Sequence, residues 1–426
     1  VIPVQSGVFQ DRPMRIVYLH QYFNTPDMAG GTRSFEMARR LVSFGHEVHM
    51  ITSWRAETRE KGWFRTSEAG IDVHWFPVPY SNVLGYRDRV KAFMLYALKA
   101  AGVAAILPCD VVFATSTPLT IALPAVYAAK KQKVPMVFEV RDLWPEMPVA
   151  IGAISNPLVV GAAETLERFA YRHSRRIVAL SPGMAEGVER TGYPAERISV
   201  IPNSCDIGLF SDRHAEAEGF RKQHPELGRR PIILYPGTLG KVNGVEYLAR
   251  LAAETGKSRQ DLCFVVIGEG AEWELVRGTA ERSGALNRNF FMYRAMPKSR
   301  LIGAVAAATM VVSLFVDIPE MRVNSANKFF DGLAAGKPVA VNYEGWQADL
   351  LRETGAGIVL SGDAGKAASE LAAFLADEGG VKAAGINAFA LGMERFDRDR
   401  LARQLENVLH EACGEGASPD RNENRT

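Results

Sequence analysis

Lys328 stands in the first turn of a stretch, NSANKFFDGLAAGKP (residues 324–338), that reads as a helix entered from a polar loop. Apolar positions at Phe329, Phe330, Leu333 and Ala334 give the helical face, Gly336 stops it, and Pro338 opens the strand-like run PVAVN. A helix N-terminus presents unpaired N–H groups and a positive dipole end, which suits a phosphate. A cation there is unfavourable unless an anion meets it. The stretch is therefore read as a diphosphate site.

Three further stretches carry chemistry. After a strand-like run at 231–235 comes Gly237-Thr238-Leu239-Gly240-Lys241-Val242-Asn243-Gly244. Its glycines free backbone N–H groups to form an anion nest, with Lys241 as counter-charge. The spacing is not that of a Walker loop. At 141–148, RDLWPEMP places Arg141, Asp142 and Glu146 around Trp144-Pro145 on a strand-end loop. Carboxylates for hydroxyls and an aromatic face for a ring are what a sugar site uses; an Arg–Asp pair with a core tryptophan is the alternative. Near the start, Gly30-Gly31 precede Thr32, a good N-cap residue, and let a backbone approach a ligand closely.

The elements that must position these groups form two alternating series. Strands are expected at 15–20, 47–52, 72–76, 110–115, 136–140, 176–180 and 198–201, with helices at 33–44, 88–107, 119–131, 157–171 and 182–190. A second series has strands at 231–235, 262–267, 289–292, 310–314, 339–342 and 358–360. Its helices are expected at 245–254, 271–283, 298–308, 344–354, 364–376 and 381–393. Each series predicts a doubly wound parallel sheet with ligands beyond the C-terminal strand ends. The reading is α/β with two Rossmann-like domains facing a cleft. The domains are 1–205 and 231–395, with a polar linker at 206–230. A helix at 396–413 is expected to cross back to the first domain, and a polar tail at 414–426 to be disordered. A chain of 426 residues is long enough for two cores.

Composition narrows the class. The net charge of +2 gives no argument for a nucleic-acid partner. Residues 1–205 hold about 23 Lys and Arg against about 18 Asp and Glu, so the first half is basic. A helix at 88–107 puts Arg87, Arg89, Lys91 and Lys99 beside Phe93, Met94, Leu95 and Leu98. It reads either as a peripheral contact with an anionic membrane or as a packed helix with a solvated face. Four scattered cysteines, Cys109, Cys205, Cys263 and Cys413, are expected to be reduced thiols. No secretory signal and no span-length apolar stretch is evident, so a cytoplasmic protein is expected. Neither Rossmann start carries GxGxxG, which argues against a nicotinamide oxidoreductase.

Taken together these motifs resemble the family 4 retaining glycosyltransferases of GT-B fold. The matching residues are Gly30-Gly31-Thr32, RDLWPE at 141–146, SPGM at 181–184, IPNSCD at 201–206, PGTLGKVNG at 236–244, IGEG at 267–270 and SANKFFDGLAAGKPV at 325–339. RDLWPE with the last stretch is similar to N-acetyl-L-fucosaminyltransferase-like enzymes of bacterial O-antigen and capsule assembly. The resemblance implies a nucleotide-sugar donor, UDP-linked, and a saccharide or lipid-linked saccharide acceptor. It implies no cofactor and no required metal, in keeping with the lack of a DxD motif at a strand end. By this resemblance Gly30 and Gly31 approach the donor phosphate and sugar. Gly237, Gly240 and Lys241 hold the diphosphate, with Lys328 and the amides of Ser325 to Asn327 opposite. Gly268 and Glu269 border the nucleoside, and Arg294 and Met296 edge the base. Asp142 contacts the sugar, with Arg141 where many relatives carry histidine.

One departure stands out. The family carries two glutamates separated by seven residues; here those positions are Val323 and Asp331. Asp331 keeps a carboxylate for ribose hydroxyls, and Glu320 or Asn324 is left to replace the first glutamate. Catalysis is expected to retain configuration, by a front-face route assisted by the leaving phosphate or by double displacement through Asp142 or Glu146. A UDP-sugar epimerase of the same fold and a nucleotide-binding scaffold without turnover are the rival readings.

Overall fold

The computed structural model describes residues 12–28, 30–79, 85–211 and 213–414. Of the tail expected at 414–426, Gly414 ends the last helix and residues 415–426 lie outside the described residues, as do the residues before 12, read as carrying no secretory signal.

The first domain's strands are β1 (Arg15–Leu19), β2 (Glu47–Trp54), β3 (Phe64–Glu68), β4 (Ile71–Pro77), β5 (Val111–Thr115), β6 (Met136–Val140), β7 (Arg176–Ala179) and β8 (Ile198–Val200). Its helices are α1 (Arg33–Ser43), α2 (Tyr86–Ala104), α3 (Ala122–Gln132), α4 (Glu146–Ala150), α5 (Pro157–Arg172) and α6 (Pro182–Arg190). Among the described residues the sheet order is β3-β4-β2-β1-β5-β6-β7-β8. All pairings are parallel except β3 with β4. The order reverses between β1 and β5, so the loops leaving these two strands flank the switch point where such sheets bind ligands.

Two short helices follow, α7 (Ile207–Phe210) and α8 (His214–Gln223). They occupy the segment expected as a polar linker, and bury Phe210 and Phe220 in the second domain's core. The second domain's strands are β9 (Ile232–Pro236), β10 (Cys263–Ile267), β11 (Phe290–Tyr293), β12 (Met310–Ser313), β13 (Val339–Val341) and β14 (Gly357–Val359). Its helices are α9 (Glu246–Thr255), α10 (Trp273–Arg282), α11 (Lys298–Ala307), α12 (Asn327–Ala334), α13 (Trp346–Thr354), α14 (Ala364–Ala376) and α15 (Glu378–Phe396). The all-parallel order β11-β10-β9-β12-β13-β14 reverses between β9 and β12. Each sheet is buried on both faces, which is why its strands read as near-continuous apolar runs.

A last helix, α16 (Arg398–Gly414), returns to the first domain, as expected. Leu401, Leu405, Val408, Leu409 and Ala412 pack into the core beneath α1. His46 fixes it further: its Nδ1 accepts the Met14 N–H at 3.0 Å and its Nε2 lies 2.9 Å from Glu406 Oε1. The chain therefore crosses between domains twice, and the crossings touch. The Cys205 N–H donates to Phe396 O at 2.8 Å, and the Arg398 N–H to Cys205 O at 3.1 Å. The four cysteines are free thiols.

Three local details differ from the sequence reading. The edge strand β3 was not expected: FRTSE is polar and has no apolar run, and it pairs only with β4. The helix after Thr115 begins as a 3-10 turn over Leu119–Ile121. Thr32 precedes α1, but its hydroxyl makes no capping bond.

Candidate active site

The expected phosphate elements meet at the second switch point. Lys328, in the first turn of α12, is buried, with Nζ 4.8 Å from the Tyr235 ring centroid and 5.0 Å from that of Phe315. It has no carboxylate partner among the described residues, and burial pulls its pKa down to about 7. A buried ammonium without an anion is costly, so the site is built for a negative ligand. Gly237, leaving β9, makes room for it: a Cβ there would lie 3.0 Å from Lys328 Cε.

The glycine loops interlock. Gly237 N–H donates to Ile267 O at 2.9 Å, Leu239 N–H to Glu269 O at 2.8 Å, and Glu272 N–H to Leu239 O at 2.9 Å. A Cβ on Gly268 would stand 1.8 Å from Gly237 O, so only glycine permits this approach. Gly240 caps the 3-10 turn Lys241–Asn243. Lys241 itself is exposed and reaches across the cleft, where Nζ donates to Ile151 O at 3.0 Å. Arg294 stacks 4.1 Å from the Trp273 ring centroid, and Met296 packs against the core.

Asp331, one turn beyond Lys328, has a partner already: Lys298 Nζ lies 3.2 Å from Oδ1. Lys298 also lines a cavity of about 640 Å³ between the domains, with Thr32, Phe35 and Arg213. A ribose hydroxyl at Asp331 would thus share the carboxylate with Lys298.

The first domain closes over α12. A Cβ on Gly31 would lie 3.2 Å from Asn327 Nδ2. Gly30 has φ +129°, and Asn24 braces the loop by donating from Nδ2 to Gly31 O at 3.2 Å. Ser325 is tied to the first domain: its Oγ accepts the Asn203 N–H at 3.0 Å. Ser181, which also caps α6, donates to Val323 O at 2.5 Å. Val323 packs on Gly183, where a Cβ would fall 2.3 Å from Val323 Cγ1. The position matching the family's first glutamate thus lies in an interdomain contact. Of the two stand-ins, Glu320 lies in a 3-10 turn beside α4 and Asn324 is buried, its Nδ2 bonded to Met321 O.

At the first switch point, Asp142 Oδ2 accepts from Thr117 Oγ1 at 3.0 Å. Burial raises the Asp142 pKa, only partly countered by Thr117 and Arg141. Thr117 sits at φ +83°, a conformation a β-branched residue seldom takes. Arg141 receives support at its N–H from Ser116 Oγ at 2.9 Å, and its Nη1 lies 3.3 Å from His20 Nε2. Burial, then Arg141 and Arg55, hold His20 neutral. Behind them, buried Glu139 joins Arg33 at 2.9 Å and Thr115 at 2.6 Å. Burial pushes that carboxyl up, but Arg33 and Arg141 outweigh it and leave the pKa low.

Glu146 is not brought to this group. It begins α4, half exposed, and pairs with Arg190 at 3.3 Å on the surface. Trp144 packs against the first domain's core, with a buried and unpartnered Nε1. The sequence reading gave His20, Thr117, Ser181 and Asn203 no role, although Ser181 and Asn203 stand in its SPGM and IPNSCD motifs and the other two at strand ends. Among the described residues, the clusters of metal-ligating groups lie away from these cleft residues.

Comparison with known proteins fits this geometry. Residues 29–204 match the model of the glycosyl transferase 4-like domain. The first half of the chain is thus similar to the family 4 glycosyltransferases. The chain is 23% identical over 295 residues to WcaI of Escherichia coli (strain K12), named for colanic acid biosynthesis. The match covers 64% of this chain and 71% of WcaI. Its fold is GT-B, as in two solved structures. One is HepE of Anabaena in complex with UDP-glucose, with TM-score 0.68, 17% identity, and coverage of 93% of this chain and all of HepE. The other is sucrose-phosphate synthase of Thermosynechococcus elongatus, with TM-score 0.75, 16% identity, and coverage of 96% and 100%.

Proposed function

We propose that this glycosyltransferase moves a sugar from a UDP-sugar to a saccharide or lipid-linked saccharide during assembly of a bacterial surface polysaccharide. The observation that carries the reading is the buried Lys328, without a carboxylate, at a helix N-terminus against the Gly237 loop. A diphosphate supplies the missing charge. The HepE complex with UDP-glucose and the naming of WcaI support the donor class and the polysaccharide setting.

In this proposal Lys328, the Ser325–Asn327 amides and Lys241 take up the charge of the leaving diphosphate. Lys241 would exchange its bond to Ile151 O for one to phosphate. Asp331 and Lys298 would hold the ribose, and Arg294 and Met296 the base edge. Asp142, oriented by Thr117 and flanked by Arg141, would hold the sugar or the acceptor hydroxyl. Transfer with retention follows a front-face route: the attacking hydroxyl passes its proton to the departing phosphate oxygen. The surface pairing of Glu146 weighs against it as a nucleophile, which leaves Asp142 for the double-displacement alternative. An N-acetylated amino or deoxy sugar donor is proposed from the fucosaminyltransferase-like motifs. A peripheral site on the inner membrane face is proposed from α2, where Val90, Met94, Leu95 and Leu98 are exposed beside Arg87 and Lys91. None of the helices described is long and apolar enough to cross a membrane.

The test is a thermal-shift screen against UDP-, GDP- and ADP-sugars, followed by product analysis with saccharide acceptors. Stabilisation by UDP-sugars alone, and an α-configured product from an α-configured donor, are expected. No stabilisation by any nucleotide sugar would remove the donor site. The scaffold alternative is kept by one observation, Val323 in place of a carboxylate; binding without release of UDP to any acceptor would favour it.

A further inference from the structure

A second constellation lies at the opposite ends of the strands from the cleft. His49 and Asp72 are directly paired across β2 and β4, and His74 follows two residues on along the same face. His49 and His74 are buried, and Asp72 opens toward solvent. His49 Nδ1 is 3.1 Å from Asp72 Oδ2, His74 Nε2 is 3.4 Å from His49 Nδ1, and His74 Nε2 is 3.6 Å from Asp72 Oδ2. The three atoms form a nearly equilateral triangle. In a tetrahedral centre with bonds of about 2.0–2.1 Å, ligand atoms stand about 3.3 Å apart.

The outer groups fit the same chemistry. His49 Nε2 lies 2.9 Å from Glu47 Oε1. A metal-bound histidine almost always gives its other N–H to such a carboxylate, which fixes the tautomer. The other ring nitrogen of His49, Nδ1, faces Asp72 Oδ2, so both nitrogens of His49 meet carboxylate oxygens. Arg65 reaches Asp72 from the solvent side, donating from Nε to Oδ1 at 3.1 Å and from Nη2 to Oδ2, and its side chain is 64% exposed. It can withdraw from the shared carboxylate. The other histidine cluster, His46 with Glu406 and His410, differs: His46 Nδ1 is occupied by the Met14 N–H.

We propose that His49 Nδ1, His74 Nε2 and Asp72 Oδ2 bind a divalent transition metal of the zinc type, with water as fourth ligand. The ion would pin β4, and through it the edge strand β3, to β2. It lies away from the transfer chemistry, so it stands or falls independently of the donor reading.

The test uses the full chain without an affinity tag, stripped with chelator and titrated with Zn²⁺ alone by calorimetry. One equivalent is expected, with a thermal midpoint that climbs with free zinc. His74→Gln and Asp72→Asn should lose that equivalent, and Glu47→Gln should weaken it by about 10–100-fold. His410→Gln should leave it unchanged. Arg65→Gln should tighten binding, a gain that a misfolded variant cannot imitate. Co²⁺ should give visible absorption of a four-coordinate centre. Absence of a bound equivalent in the wild type, or an equivalent that survives in His49→Gln/His74→Gln, overturns the proposal.

Discussion

Gly237 and Lys328 share one small space, for a methyl group on Gly237 would stand 3.0 Å from Lys328 Cε. The two come from different loops of the same switch point, and neither can be enlarged without moving the other. Gly237→Ala should displace the ammonium and weaken UDP binding by about tenfold, or about 1.4 kcal/mol. Calorimetry with UDP checks this; unchanged affinity would separate the glycine loop from the phosphate site.

Lys328 should also make donor binding proton-linked. Burial holds its pKa at about 7 in the free protein, and a bound diphosphate restores the charged form. UDP binding near pH 8 should therefore take up a proton, visible as a heat that varies with buffer ionisation enthalpy. In the free protein the depressed pKa contributes stability present above the unfolded value of 10.5 and lost as pH falls through about 7. The thermal midpoint should rise with pH across that window, and Lys328→Met should flatten the rise.

Asp142 and Glu146 should separate cleanly. Asp142→Asn removes a half-buried carboxyl oriented by Thr117 and should lower turnover by about 10²–10⁴-fold. Glu146→Gln removes only half of a surface pair and should leave turnover nearly intact. Burial raises the Asp142 pKa, so the acid limb of activity should lie above the ordinary aspartate range. Initial rates against pH decide it, and equal losses in the two variants would contradict the placement.

The fold was legible because parallel strands buried on both faces write themselves as apolar runs, as at Ile16 to Leu19 and Cys263 to Ile267. The edge strand β3 lacks that mark, and α8 hides behind charge because Phe220 is its one buried side chain. Lys328 could be read as a site residue because its charge conflicts with its place on a helix. The partners of the cleft could not: Ser181 finds Val323, and Asn203 finds Ser325, only when the domains meet. Glu146 shows the opposite error. It shares a loop with Asp142 in sequence, yet the short α4 turns it outward to Arg190.

The exposed face of α2 supplies another expectation. Lys99 is drawn toward the Phe76 ring and Lys91 toward Asp88, so Met94 and Leu98 dominate the outward surface. Leu98→Glu should reduce cosedimentation with vesicles containing phosphatidylglycerol. Binding by the wild type should rise with anionic lipid and fall with salt. Equal recovery of both proteins at all compositions would dismiss the membrane role of this helix.

The return of α16 has a consequence for biosynthesis. The hydrophobic floor of the first domain is completed by Leu401, Leu405, Val408 and Leu409, about 200 residues after β8 has emerged. At roughly 5–20 residues per second, translation leaves that floor bare for about 10–40 s. During this interval the nascent first half is a natural client for chaperones. Ribosome pausing within the second domain would prolong its exposure, so the order in which the chain is made sets when its first domain can be finished.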